Sequence, residues 1–262
     1  MASTGSTSGA RTGAGDPART LELLWRAQQP VRTRRGPRQG LSVDAVVASA
    51  IELADADGLD ALTMRRIAER VGISPMSVYT YVPGKAELLD LMLDSVYADM
   101  PRPRWRTTSW RRRLTSVARR NRALFTAHPW AASVVSLSRP PLGPGLMAKY
   151  EHELSAFDGT GLDDVQMDAA LTYLLGFVQA SARAAAEVAA VHKESQLNDA
   201  SWWQANAPLL SRIFDEKSYP RAVRVGAAAG AAQGAAYHPD HAYEFGMQRV
   251  LDGLGVLIGE RA

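Results

Sequence analysis

The sequence has no cysteine among its 262 residues, which excludes disulfides, thiolate nucleophiles and sulfur-bound metal and fits a reducing compartment. Lysine is scarce: Lys85, Lys149, Lys193 and Lys217 are the only four, so nearly all of the 30 basic residues are arginine. Long apolar runs are missing too. The alanine-rich stretch from Ala184 falls well short of the ~18 residues that a membrane span needs. The first twenty residues are polar and rich in Gly, Ser and Thr, without the apolar centre of a secretory signal. We therefore expect no membrane partner and a cytoplasmic location. No period-two alternation marks a strand, and no nucleophile elbow, phosphate loop or dinucleotide fingerprint stands in a strand-to-helix context. The expectation is a protein that is not an enzyme and uses no cofactor and no metal.

What is present is an ordinary globular composition, 46% hydrophobic and 22% charged, on a chain long enough for one large domain or two smaller ones. The net charge of +3 conceals segregation. Residues 1–40 hold seven basic and two acidic residues, 41–100 four and ten, 101–122 nine and none, and the remainder ten and fifteen. Whole-chain charge thus says little about a partner, whereas the arginine blocks at 32–38 and 102–113 say more.

Val43, Val46, Val47, Ala50, Ile51 and Ala54 recur at steps of one, three and four, which predicts a helix over 43–56 ended by Gly58. Thr63 stands where an N-cap belongs, Ile67 and Val71 share a face, and Gly72 supplies a stop. Two residues on, Ser74 and Pro75 form a cap followed by a first-turn proline. Val78 and Val82 would meet Ile67 and Val71, leaving Pro75, Met76, Ser77, Tyr79 and Thr80 outward or lateral. A helix from Lys85 carries Leu88, Leu89, Met92, Leu93 and Val96 on one stripe. Beyond it only helices are predicted, over 110–127, 146–157, 163–192, 199–214, 220–229 and 239–259. The two short helices joined by a tight turn read as a helix-turn-helix. Hydroxyls of tyrosine and serine can reach phosphates, and the Thr80 methyl, Pro75 and Met76 can touch thymine methyls.

The block "DAVVASAIELADADGLDALTMRRIAERVGISPMSVYTYVPGKAELLDLML" from Asp44 resembles the DNA-binding domain of the Tet-repressor (TetR) family of bacterial transcription regulators. Two later stretches, "GTGLDDVQMDAALTYLLGFV" from Gly159 and the closing "FGMQRVLDGLGVLIG", resemble its Tet-repressor-like subgroup. The resemblance implies an all-α fold: an N-terminal helix-turn-helix DNA-binding domain (41–100) plus a larger α-helical ligand-binding and dimerisation domain (101–262), preceded by a flexible basic arm (1–40). It implies that Arg65 reads a base, fitting a bidentate contact to guanine, that Thr63 and Lys85 clamp phosphates, and that Tyr79 binds phosphate. Ser74, Pro75, Met76, Ser77, Thr80 and Tyr81 complete the expected DNA face. At Pro75, Met76 and Tyr81 the chain departs from the Tet repressor itself, so that protein's operator does not carry over. Where the subgroup supplies an acidic partner for metal-bound tetracycline the chain reads "RAAAE", which argues against that drug.

Several features keep two readings. Arg34 and Arg35 belong either to an arm entering a minor groove or to a solvated tail. The arginines over 102–122 are expected to pair with acidic residues of the helices at 43–56 and from Lys85. His238, Asp240, His241 and Glu244 read as a metal cluster or as the acidic first turn of a helix. Phe125, Trp130, Met147, Tyr150, Tyr173, Phe177, Trp202 and Trp203 are bulky against alanine-rich surroundings and mark an expected effector pocket. The stripes Leu171, Leu174, Leu175, Val178 and Val250, Leu251, Leu254, Ile258 are expected to pack with a symmetry mate. The partners expected are thus operator double-stranded DNA, a small-molecule effector and a second copy in a homodimer. The functional expectation is a ligand-responsive transcriptional regulator, a repressor released by a small apolar molecule. The other reading is a helical small-molecule-binding protein or enzyme with a vestigial helix-turn-helix.

Overall fold

In the computed structural model, which describes residues 11–28, 41–105, 108–136 and 138–259, the first element is a helix that no apolar periodicity announced. Helix α1 (Pro17–Leu24) starts at Asp16, whose Oδ1 accepts from the amides of Ala18 and Arg19 at 3.0 and 3.2 Å, with Pro17 in the first turn. Its Thr20 and Leu24 are buried. Residues 11–28 are therefore not part of a flexible arm, as the sequence reading had it. The arginines of the expected arm, Arg34 and Arg35, lie outside the described residues.

The next four helices follow their caps. Ser42 opens α2 (Val43–Asp57), Thr63 opens α3 (Met64–Val71), Ser74 opens α4 (Pro75–Val78), and α5 (Lys85–Ala98) follows. Val46, Ala50, Ile67, Ala68, Val78 and Val82 are fully buried, so α2, α3 and α4 close one small core against Leu88, Leu89 and Met92 of α5. Then come α6 (Trp110–Ala127), a short α7 (Pro129–Val134), α8 (Pro144–Leu154) running into a single 3₁₀ turn, and α9 (Asp164–Ser195). The last three are α10 (Asp199–Ile213), α11 (Pro220–Gln233) and α12 (Pro239–Ile258), with no strand among the described residues. Contacts divide the chain into two units, residues 1–179 and 180–262, the division falling inside α9. In the second unit neither α10 nor α11 has a buried residue.

Helix α5 is held by its carboxylates. Glu87, Asp90 and Asp94 lie on one face at steps of three and four, all buried, and each accepts from backbone amides of distant segments. The Asp16 amide donates to Glu87 Oε1 (3.2 Å), the Gly13 amide to Asp90 Oδ1 (3.0 Å), and the amides of Gly145 and Leu146 at the start of α8 to Asp94 (3.2 and 2.8 Å). Gly145 is required there, because a Cβ would lie 2.0 Å from the Asp94 carbonyl oxygen. Burial pushes the Asp90 pKa up to about 6, against the pull of the Gly13 amide, with Glu87 adding repulsion. Burial raises Asp94 in the same way.

Two of the arginines over 102–122 donate to backbone carbonyls: Arg102 to those of Tyr97 and Ala98 (2.9 and 3.0 Å) at the end of α5, and Arg113 to those of Ala156 and Asp158 (2.9 and 2.6 Å) at the 3₁₀ turn after α8. For these two, carbonyl capping stands where the sequence predicts pairing with acidic side chains.

Candidate nucleic-acid interface

The turn between α3 and α4 is built from backbone chemistry. Gly72 adopts the left-handed conformation (φ 75°), and the amides of Gly72 and Ile73 both turn back onto the Ala68 carbonyl. Ser74 Oγ then accepts from the Ser77 amide (3.2 Å), starting α4 two residues later. Helix α4 is a single turn. Further turn bonds from Thr80, Tyr81 and Val82 back to Ser77 and Val78 keep the following residues compact.

This geometry sorts the expected DNA-facing residues. Met76 is 77% exposed and Tyr79 44%, while Pro75 and Thr80 are exposed, Ser77 and Tyr81 half-buried. Thr80 Oγ1 donates to the Ser77 carbonyl (2.7 Å), which turns its methyl away from that bond. Thr63 Oγ1 accepts from the Arg66 amide (3.2 Å), leaving the hydroxyl proton able to donate to a phosphate. Lys85 Nζ donates to the Leu59 carbonyl (3.1 Å), tying the start of α5 to the loop before α3 and committing one of its three protons.

The three arginines of α3 divide by role. Arg66 bonds Asp57 Oδ2 (2.6 Å) and Arg70 bonds Glu52 Oε2 (2.7 Å), so both fasten α3 to α2. Arg65 has an 80% exposed side chain and, among the described residues, pairs only along its own helix, with Glu69 at 3.0 Å. An exposed pair four residues apart is worth about 0.3–0.5 kcal/mol, so a ligand of the guanidinium would displace Glu69 at little cost. The sequence reading missed the fastening role of Arg66 and Arg70. Its signal was available: acidic Glu52 and Asp57 stand on the helix that α3 must pack against.

Of the eight residues expected around an effector, six lie in the first unit and two, Trp202 and Trp203, in the second. Phe125 and Trp130 are buried in the first unit, and Trp130 Nε1 donates to Asp55 Oδ1 (2.7 Å) beside His128 Nδ1 (2.9 Å), which joins α7 to α2. Tyr150 donates to Asp168 (2.7 Å), Met147 and Tyr173 are exposed, and Phe177 is half-buried. Trp202 and Trp203 meet edge to face in the second unit, centroids 5.0 Å apart. A cavity of about 620 Å³ opens between α10 and α11, and of the eight only Trp203 lines it. His238 caps α12, its Nδ1 accepting from the His241 amide (3.4 Å), which is the helix-start reading of that cluster.

The expected symmetry stripes are also placed differently. Leu171, Leu174 and Val178 of α9 and Val250, Leu251 and Leu254 of α12 are buried within the chain itself. The large apolar side chains that face outward are Val165, Tyr173 and Val191 on α9, and Phe245, Val256 and Leu257 on α12. Helix α9 is long and apolar enough to cross a membrane by length and composition, contrary to the expectation from apolar runs alone.

Comparison with known proteins agrees with this arrangement. The family model described as "Bacterial regulatory proteins, tetR family" matches residues 46–92, and "Tetracyclin repressor-like, C-terminal domain" matches residues 102–258. The HTH-type transcriptional repressor DrrR1 of Streptomyces coeruleorubidus is 39% identical over 252 residues, 95% of this chain and 90% of that protein. The class A tetracycline repressor from transposon 1721 of Escherichia coli is 30% identical over 105 residues, 38% of this chain and 47% of the repressor. Among solved structures, apo ActR from Streptomyces coelicolor superposes with a TM-score of 0.67 at 28% identity, covering 86% of this chain and all of ActR. ActR in complex with actinorhodin gives 0.68 at 29% identity, over 85% of this chain and all of ActR. With both of its parts matched, and with the turn, caps and exposed arginine in place, the chain belongs to the tetR family of bacterial regulatory proteins.

Proposed function

We propose that this chain is a homodimeric repressor, and not an enzyme, that binds operator DNA in the cytoplasm through paired α3–α4 faces and leaves it when a small, largely apolar effector binds. The observation that carries this reading is the outward face itself: Arg65 held only by an exposed intrahelical pair, next to Met76, Tyr79 and Thr80 standing clear of the core. DrrR1 is named a repressor, and ActR is solved with actinorhodin and with (S)-DNPA, which supports release by a small molecule. The outward apolar side chains of α9 and α12 support the dimer. They form helix faces suited to a second copy, and this accounts for the exposed apolar surface of α9 without a membrane.

A ligand that favours the released state must weaken operator binding by the factor by which operator weakens ligand binding. The test is a thermal screen, since a ligand binding only folded protein raises its melting temperature, followed by titration of each stabilising compound with and without operator. Equal affinities in the two titrations for every such compound would refute the switch.

A further inference from the structure

The cavity between α10 and α11 has a lining that discriminates among chemical classes. Its α11 wall is made of Ala222, Val223, Gly226, Ala227, Gly230 and Ala231, with Gly234 just beyond the helix, so past Val223 nothing larger than a methyl group stands on it and that stretch is close to flat. Trp203, Leu210 and Phe214 face it from α10 and the link that follows. At about 620 Å³ it lies within the range of pockets that hold drug-sized molecules, roughly 300–1,000 Å³. A second cavity of about 300 Å³ reaches the first turn of α10, where Asp199 accompanies Glu187 and Tyr237, and Asp199 Oδ1 bonds His192 Nε2 at 3.1 Å. Asp199 lines the second cavity and the adjacent Ala200 the first, so both reach the first turn of α10.

Charge leans one way. Glu216 lines the first cavity and Glu187 and Asp199 the second, where His192 is bonded to Asp199, and among the described residues no lysine or arginine lines either. An anionic ligand in the first cavity would face Glu216 in a lining that is otherwise mostly apolar. Amine and hydroxyl donors would meet carboxylates, and an aromatic cation would also gain from the Trp203 face.

We propose that the space between α10 and α11 is the effector site, and that the effector is a flat, largely apolar molecule carrying amine or hydroxyl groups and no carboxylate. This rests on the reading of the chain as a ligand-responsive repressor and adds the site and the ligand class to it. The flat wall selects planar ring systems over bulky ones, and the carboxylates select neutral or cationic molecules over acids.

Two probes of matched shape test it on the full chain without DNA. Proflavine is a flat tricyclic cation with two amines; anthracene-9-carboxylate is a flat tricyclic anion. Proflavine binding followed by its fluorescence anisotropy, and anthracene-9-carboxylate binding by calorimetry, are expected to differ about tenfold or more in favour of the cation. Gly230→Leu fills the slot. An added Cβ at Gly230 meets nothing within 4 Å, and leucine suits a helix interior better than glycine, so the variant should fold. It is expected to weaken proflavine about tenfold or more by occupying its space, and Glu216→Gln to weaken it less. A carboxylate probe that binds as well as proflavine, or Gly230→Leu binding proflavine like the parent, overturns the proposal. So does a lack of probe binding with Gly230→Leu shifting the monomer–dimer balance, which would show a second copy covering the groove. Operator binding is measured separately by gel shift: if the probes behave as stated while operator is never released, the site stands and the repressor switch fails.

Discussion

Arg65→Ala isolates base reading from folding, because the structure gives Arg65 so little else to do. Its side chain is 80% exposed and its one ion pair, to Glu69, is exposed and on the same helix, so the substitution should change stability by no more than about 0.5 kcal/mol. The loss on DNA should be much larger. A bidentate arginine–guanine contact discriminates against the wrong base by about 1–3 kcal/mol, and in the proposed dimer each protomer contributes one such arginine. Operator affinity should therefore fall by about 2–6 kcal/mol, roughly thirtyfold to twenty-thousandfold, while affinity for scrambled DNA falls only modestly. Fluorescence anisotropy with both duplexes at one salt concentration reads the two effects together. Arg66→Ala is the internal control: it cuts the tie to Asp57 (2.6 Å), so it should lower stability by up to about 1 kcal/mol with a small change in discrimination. If Arg65→Ala weakened both duplexes equally, the base-reading role would be wrong.

Three further outcomes follow from named contacts. Lys85→Ala should weaken all DNA alike and flatten the salt dependence by about one unit per protomer; a changed preference between operator and scrambled duplex would contradict a phosphate role. Val256→Glu places a charge on a 77% exposed apolar position, so it should give folded monomer in sedimentation with operator binding lost, whereas Leu254→Glu, at a 5% exposed position, should unfold the chain; a Val256→Glu dimer would displace the interface from α12. Asp90 carries a folded pKa raised to about 6 from the ordinary carboxylate value of 3.8, so the folded state binds the extra proton and Asp90's contribution to stability is lost as pH rises through about 6. Asp90→Asn should flatten the melting temperature between about pH 4 and 6, and an unaltered slope would count against the buried contact with the 11–16 segment.

The DNA-reading half was legible because its signals are local. Thr63, Gly72, Ser74 and Pro75 cap, stop, cap and start helices within twelve residues of one another, and each acts on backbone groups a few positions away. The carboxylate face of α5 was not legible, since the amides that meet Glu87 and Asp90 come from residues more than seventy positions earlier. Helix α1 hid for a related reason: eight residues with a polar lead-in carry little periodicity, and their stability comes from packing on α5. The apolar stripes of α9 and α12 were legible, but six of their eight residues are already buried within the chain, Leu175 and Ile258 only half so; periodicity shows that a face is covered and not which chain covers it. The pocket was sought among bulky side chains. Two of those fill core, Trp130 with a bond to Asp55, and the cavity proposed above runs along a stretch of α11 rich in glycine and alanine, which sends no such signal.

The account stands most directly on whether the α3–α4 face reads sequence. Binding of the full chain to DNA from its own upstream region and to a scrambled duplex of equal length, at one physiological salt concentration, measures this in a single ratio. Specific recognition by the paired helices predicts a preference of about 10³-fold or more for the upstream region, collapsing on Arg65→Ala. A ratio near one for the unaltered protein, with both affinities falling together as salt is raised, would mean that only phosphates are bound and would contradict an operator-reading repressor.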